Sequence, residues 1–177
     1  MSRVASPFIV GPTPGFAPQI GRLVAMMTYA RRTTLEAAAG LTTAQLDHLH
    51  DPSSNSIGAL LAHMAAVELS YQSDSFGGED PTAHDRSEWG AALELGERAR
   101  HQIRGRPLER YVADLTRVRE RTLRELAGRD DAWLEETRPF WGGHLANMHF
   151  VWFHVFEDEI SHRGQIRWLR RRLPRAR

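Results

Sequence analysis

The chain has 177 residues, 41% hydrophobic and 25% charged, which suits one compact core and excludes a disordered, collagen-like or rod-forming chain. It has no cysteine and its 23 basic residues are all arginine, so disulfides, thiolate zinc sites, a cysteine nucleophile, Schiff-base lysines and the Gly-Lys-Ser/Thr phosphate loop are excluded. With 22 acidic residues the formal charge is +1, which provides no field for nucleic acid, and no apolar run is long enough to span a bilayer, so a cytoplasmic protein without membrane or nucleic-acid partners is expected.

Residues 1–17 carry Pro7, Gly11, Pro12, Pro14 and Gly15, a density of breakers that predicts an extended N-terminal arm ahead of a bundle domain over 18–177. Ile20, Leu23, Val24, Met27 and Ala30 recur at helical spacing between Pro18 and Gly40, predicting a first long helix. Thr42 and Gln45 match a capping box for a short helix ending near His50, ahead of Asp51-Pro52. Ser54 and Asn55 are the expected caps of the second long helix, whose stripe is Ile57, Leu60, Leu61, Met64, Val67 and Tyr71. Beyond a loop with Gly77, Gly78 and Pro81, the apolar positions from Trp89 to Ile103 predict one further helix, weakened by Gly96.

Pro107 starts the third long helix, with Tyr111, Leu115, Val118, Thr122 and Leu126 on one face and Gly128 past its end. Residues 129–146 read as a connection containing one short turn. Asn147 caps a last helix running from Met148 to Leu173, stopped by Pro174. No alternating strand pattern is present, so the expected fold is an all-α four-helix bundle with short extra helices.

On the last helix Val151, Val155, Ile166, Leu169 and Leu173 mark a buried stripe, and Asp158 and His162 continue it. A buried carboxylate costs several kcal/mol unless a cation or strong hydrogen bonds accompany it. Four residues apart, Asp158 and His162 share one helix face, and His63 interrupts the second helix's stripe between Leu60 and Val67. Two imidazoles and a carboxylate match many zinc and nickel sites that leave a position open; a hydrogen-bonded polar cluster without metal fits the same pattern. His154 is a rival partner of Asp158, but it lies about 12 Å along the axis from His162. His149 reads as a surface residue, and Glu159 with His162 makes one Glu-x-x-His element of a di-iron site whose second copy is missing. The arginines at 167, 170–172, 175 and 177 suit a helix C-terminus better than a nucleic-acid patch.

The stretch from Asn55 to His63, with His154, Asp158 and the His162-Arg163-Gly164-Gln165 ending, resembles the DinB/YfiT-like superfamily of metal-binding four-helix bundles over about residues 18–173. The resemblance implies that His63, Asp158 and His162 bind a divalent ion, zinc or nickel. Many members have His where this chain has Asp158, and the branch that includes mycothiol-dependent maleylpyruvate isomerase has Glu there. It further implies a thiol S-transferase that activates a low-molecular-weight thiol, such as mycothiol or bacillithiol, against small electrophiles in stress or detoxification. A metallohydrolase and a non-enzymatic metal-binding stress protein are the alternatives. Tyr71, Trp152 and Arg163 are candidates for touching ligands, with loops 1–17, 73–87 and 135–146 setting substrate choice. Homodimers are common among relatives, though no residue pattern here signals one.

Overall fold

The computed structural model describes residues 6, 8–83 and 87–174, so Pro7, Arg175 and Arg177 lie outside the described residues. Its helices are α1 (Pro18–Ala38), α2 (Thr43–Leu46), α3 (Ile57–Phe76), α4 (Glu88–Glu94), α5 (Gly96–Gln102), α6 (Leu108–Ala127) and α7 (Met148–Arg170), and its two short strands are β1 (Thr137–Pro139) and β2 (Leu145–Asn147). The fold is the expected all-α, DinB-like bundle. Its long helices pack in the cyclic order α1, α7, α3, α6. No helix among the described residues is long and apolar enough to cross a membrane.

Local chemistry accounts for most helix ends. Thr42 and Gln45 form the full capping box. The Asn147 side chain accepts the Phe150 N–H at 3.0 Å. The cap of α3 is Ser56, which accepts the Ala59 N–H at 3.1 Å, and not Ser54 or Asn55. Asn55 instead accepts the Gly96 N–H at 3.1 Å, while Ser54 closes the Asp51 turn. The single helix expected from Trp89 to Ile103 is two, because Leu95 and Gly96 adopt φ of 59° and 63° and break it. α7 stops at Arg170, three residues short of the expected end.

The connection at 129–146 is richer than its sequence suggested. A 3-10 turn at Asp131–Glu135 leads into β1, and β1 pairs antiparallel with β2 in the register Arg138 to Ala146. Gly142 and Gly143, at φ of 64° and 77°, turn the chain between them. The strands are too short to show alternation, and Pro139 is tolerated at an edge.

The apolar core has two halves. One gathers Leu60, Leu61, Met64, Leu115, Val118 and Ile166, and the other Ile20, Leu23, Met27, Leu126, Trp152 and Phe156. α1 and α7 run from the second half to the first, and α3 and α6 run the opposite way. Because α3 and α6 are parallel, the chain must return to the first end between them, which is what the α4–α5 segment does while packing on α3.

At the junction of the halves lies a charged layer, one residue per long helix: Arg31, Glu68, Arg119 and Glu159. Arg31 Nε donates to Glu159 Oε1 at 2.8 Å and Nη2 to Glu68 Oε2 at 3.0 Å. Arg119 Nε donates to Glu68 Oε1 at 2.7 Å and Nη2 to Glu159 Oε2 at 3.2 Å. Arg31 Nη1 donates to the Leu115 carbonyl and Arg119 Nη1 to the Met27 carbonyl, and Thr122 adds a donor to Glu68. Burial pushes the Glu68 pKa up, but Arg119 and Arg31 outweigh it and hold the carboxyl below its ordinary value. Two cations and two anions thus cancel, with their hydrogen bonds made internally.

Candidate metal centre

Beside this layer, α3 and α7 bring His63, Asp158 and His162 together, with one ligand atom from each inside a 4.8 Å span. Asp158 Oδ1 is 3.2 Å from His162 Nε2 and 3.9 Å from His63 Nε2, and the imidazoles meet edge to face at 4.7 Å. The three are half-buried. Asp158 is not part of the sealed stripe: the fully buried carboxylate of α7 is Glu159, and Asp158 sits one step round the helix, facing a cleft. The cation that a core carboxylate needs is therefore found at Glu159, as Arg31 and Arg119.

Each imidazole is oriented from behind. His63 Nδ1 donates to the Ala92 carbonyl on α4 at 2.9 Å, and His162 Nδ1 donates to Gln165 Oε1 at 3.1 Å. Both bonds leave Nε2 as the ring atom that faces Asp158. Burial lowers the His63 pKa, and Asp158 only partly offsets this, so its ring favours the neutral, ligating form. Burial also disfavours charge on His162, but the hydrogen bond to Asp158 and its negative charge reverse the balance and raise the pKa. Asp158 Oδ2 is buried with no hydrogen-bond partner. A carboxylate with Oδ1 near two Nε2 atoms and Oδ2 buried without a partner suits a divalent cation, which takes ligands of these types at about 2.0–2.2 Å. The residues present fit the group.

The cleft above His63 and Asp158 has a volume of about 560 Å³, and Val67, Tyr71, Leu93, Phe140 and Trp141 are among its walls. The β1–β2 hairpin supplies its rim, so part of the expected substrate loop at 135–146 stands beside the site. Of the three candidates for touching ligands, Tyr71 lines the cleft. Trp152 does not: it is fully buried and stacked on Phe76 at 5.1 Å. Arg163 also points elsewhere, donating to Thr33 on α1. His154 lines the cleft but pairs with Glu157 at 2.9 Å and stands apart from the three-residue group. His149 is half-buried, outside the cleft walls. Glu159, half of the Glu-x-x-His element, is consumed by the two arginines.

Sequence reasoning missed Arg31, Glu68 and Arg119. A signal was present: each lies four residues after a buried apolar position, Met27, Met64 and Leu115 respectively.

No curated protein matches the chain. Four solved chains match it. One, described as the crystal structure of the conserved protein of locus from Enterococcus faecalis, aligns with a TM-score of 0.68 at 16% identity, covering 85% of this chain and 94% of that one. The family model for mycothiol-S-transferase matches residues 22–174, and the chain belongs to that DinB/YfiT-like family.

Proposed function

We propose that this protein is a divalent-metal-dependent S-transferase that joins a low-molecular-weight thiol to small electrophiles. The observation that carries the reading is the convergence of His63, Asp158 and His162, the first two of them lining a cleft, with the Asp158 Oδ2 atom unpaired. Membership of a family named for mycothiol transfer supports a thiol as the nucleophile. The absence of cysteine means that the sulfur has to arrive with a substrate.

A zinc or nickel ion held by these three side chains would lower the pKa of a thiol in its open position, supplying a thiolate at neutral pH. The chain's own residues do the rest. Ala92 and Gln165 fix the two rings so that both Nε2 atoms point inward. Asp158 offsets positive charge at the centre of the group. Leu93, Val67, Phe140 and Trp141 give the cleft apolar walls that favour an uncharged electrophile and exclude water from the thiolate.

The test is thiol consumption against a panel of electrophiles by the metal-loaded protein, comparing wild type with His162→Ala. A dependence on both thiol and His162 is expected, and equal rates in the two proteins would remove the catalytic reading. Electrophile turnover that needs no thiol would convert the assignment to a hydrolase acting at the same residues.

A further inference from the structure

A thiolate attacking an epoxide or an enone pushes an electron pair onto oxygen, and that oxygen needs a hydrogen-bond donor on the far side of the reacting carbon. Among the described cleft walls, apart from His63, whose Nδ1–H is taken by the Ala92 carbonyl, side-chain N–H or O–H groups come from Ser70, Tyr71, Trp141 and His154. His154 is bound to Glu157 and Trp141 is 62% exposed at the rim. The Ser70 hydroxyl sits close to its own helix, one bond beyond Cβ. Tyr71 differs in three ways. Its hydroxyl makes no hydrogen bond to any described residue. Its ring is held by Phe140 at 6.4 Å and His154 at 5.9 Å. It also lines both the metal-side cleft and an adjoining cavity of about 450 Å³ that reaches beneath the hairpin to Arg138 and Met148.

Side chains on a helix lean toward its N-terminus, so from two turns beyond His63 the long Tyr71 side chain reaches back toward the level of Asp158. Burial, then the charges of Asp158, Asp74 and Glu157, push the phenol's pKa up, which keeps its proton in place as a donor.

We infer that Tyr71 is the hydrogen-bond donor that recognises the electrophile's oxygen, and that the preferred electrophiles are those whose oxygen takes up the displaced electron pair, directly in epoxides and through conjugation in α,β-unsaturated carbonyls. This rests on the thiol-transfer reading. With an epoxide, the S–C bond forms as the C–O bond breaks, and its electron pair goes to oxygen. Tyr71 holds the resulting alkoxide through its O–H, and water then protonates it. The thiol's own proton, released earlier to solvent, balances the exchange, so that thiol plus epoxide gives a β-hydroxy thioether.

Tyr71→Phe keeps the ring and its aromatic contacts while removing only the donor. The rate ratio for styrene oxide over benzyl bromide, each with the same thiol, is expected to fall at least tenfold in this variant at unchanged metal content; a ratio within twofold of wild type overturns the assignment. A second measurement needs no turnover. Quenching of tryptophan fluorescence in the metal-free protein should show acetophenone bound more tightly than ethylbenzene, by about fivefold for one neutral hydrogen bond, with the preference lost in Tyr71→Phe. If wild type turns over neither electrophile, the transfer reading fails on its own, and this ketone preference decides the role of Tyr71: retention in the variant overturns it, loss sustains it.

Discussion

Asp158 and Glu159 are neighbours in the chain with opposite fates: Glu159 is sealed between Arg31 and Arg119, while Asp158 opens to the cleft between His63 and His162. A step of about 100° around α7 separates a carboxylate locked in the core from one that faces the candidate metal site. The two should therefore respond oppositely to substitution.

Removing the side chain of Glu159 leaves two buried guanidinium groups sharing one carboxylate. Glu159→Ala is expected to destabilise the protein by about 3–5 kcal/mol, the range for breaking a buried charge pair. Urea denaturation of the metal-free protein measures this, and a loss below about 1 kcal/mol would show that the layer is hydrated and loosely held.

Asp158→Ala should behave differently, because one oxygen of Asp158 has no partner to lose. Metal-free stability is expected to stay within about 1 kcal/mol of wild type. Zinc binding and the rise in melting temperature on adding zinc should both disappear. Gln165→Ala removes only the support behind His162, and a loss of about 10–100-fold in affinity is expected from competition titration with a chelating dye. Unchanged affinity in both variants would place the metal elsewhere.

The pH dependence of metal binding has a definite sign. The His162 pKa is raised above the ordinary 6.5 by the hydrogen bond and negative charge of Asp158, so a metal competes with a proton for this ring up to a higher pH than it would for a free imidazole. Affinity for zinc should therefore strengthen as pH rises through the raised value and weaken below it. His63, lowered from 6.5 by burial, adds a penalty only at more acidic pH. Isothermal titration in buffers of differing ionisation enthalpy should detect proton release on binding, and a pH-independent affinity with no release would contradict the arrangement.

Acid unfolding reports the charged layer. The Glu68 pKa lies below its ordinary 4.5, so its contribution is fully present above that value and is lost as pH falls through the lower, folded-state value. Chemical denaturation over a descending pH series should show stability falling on this limb. Glu68→Gln should start from lower stability and show a shallower fall; parallel curves for the two proteins would mean that other carboxylates control the transition.

Gly21 tests how the N-terminal segment is seated. A Cβ at this position would lie 2.4 Å from the Thr13 backbone nitrogen, and Thr13 Oγ1 donates to the Gly21 carbonyl at 2.7 Å. Gly21→Ala must lift the Pro12–Thr13 segment, at a cost of about 1–3 kcal/mol for an overpacked contact. Limited proteolysis should cut the variant first before Pro18, and a digestion pattern identical to wild type would show the segment to be dispensable for packing.

The long helices were legible because their apolar residues recur at helical spacing and their ends carry local signals such as Thr42 with Gln45 and Asn147, which act within one turn of chain. The grouping of His63, Asp158 and His162 was also legible, since each departs from or extends an apolar stripe. Sequence periodicity could not say which of Asp158 and Glu159 faces the core, because positions three and four residues after Val155 both lie within a helical stripe's width. That choice required the partner helices: α1 and α6 bring Arg31 and Arg119 to Glu159, and α3 brings His63 to Asp158. The hairpin at the rim was hidden for a related reason. Three-residue strands carry too little pattern to read, and their pairing depends on a turn and on a bundle surface that exist only once the chain has folded.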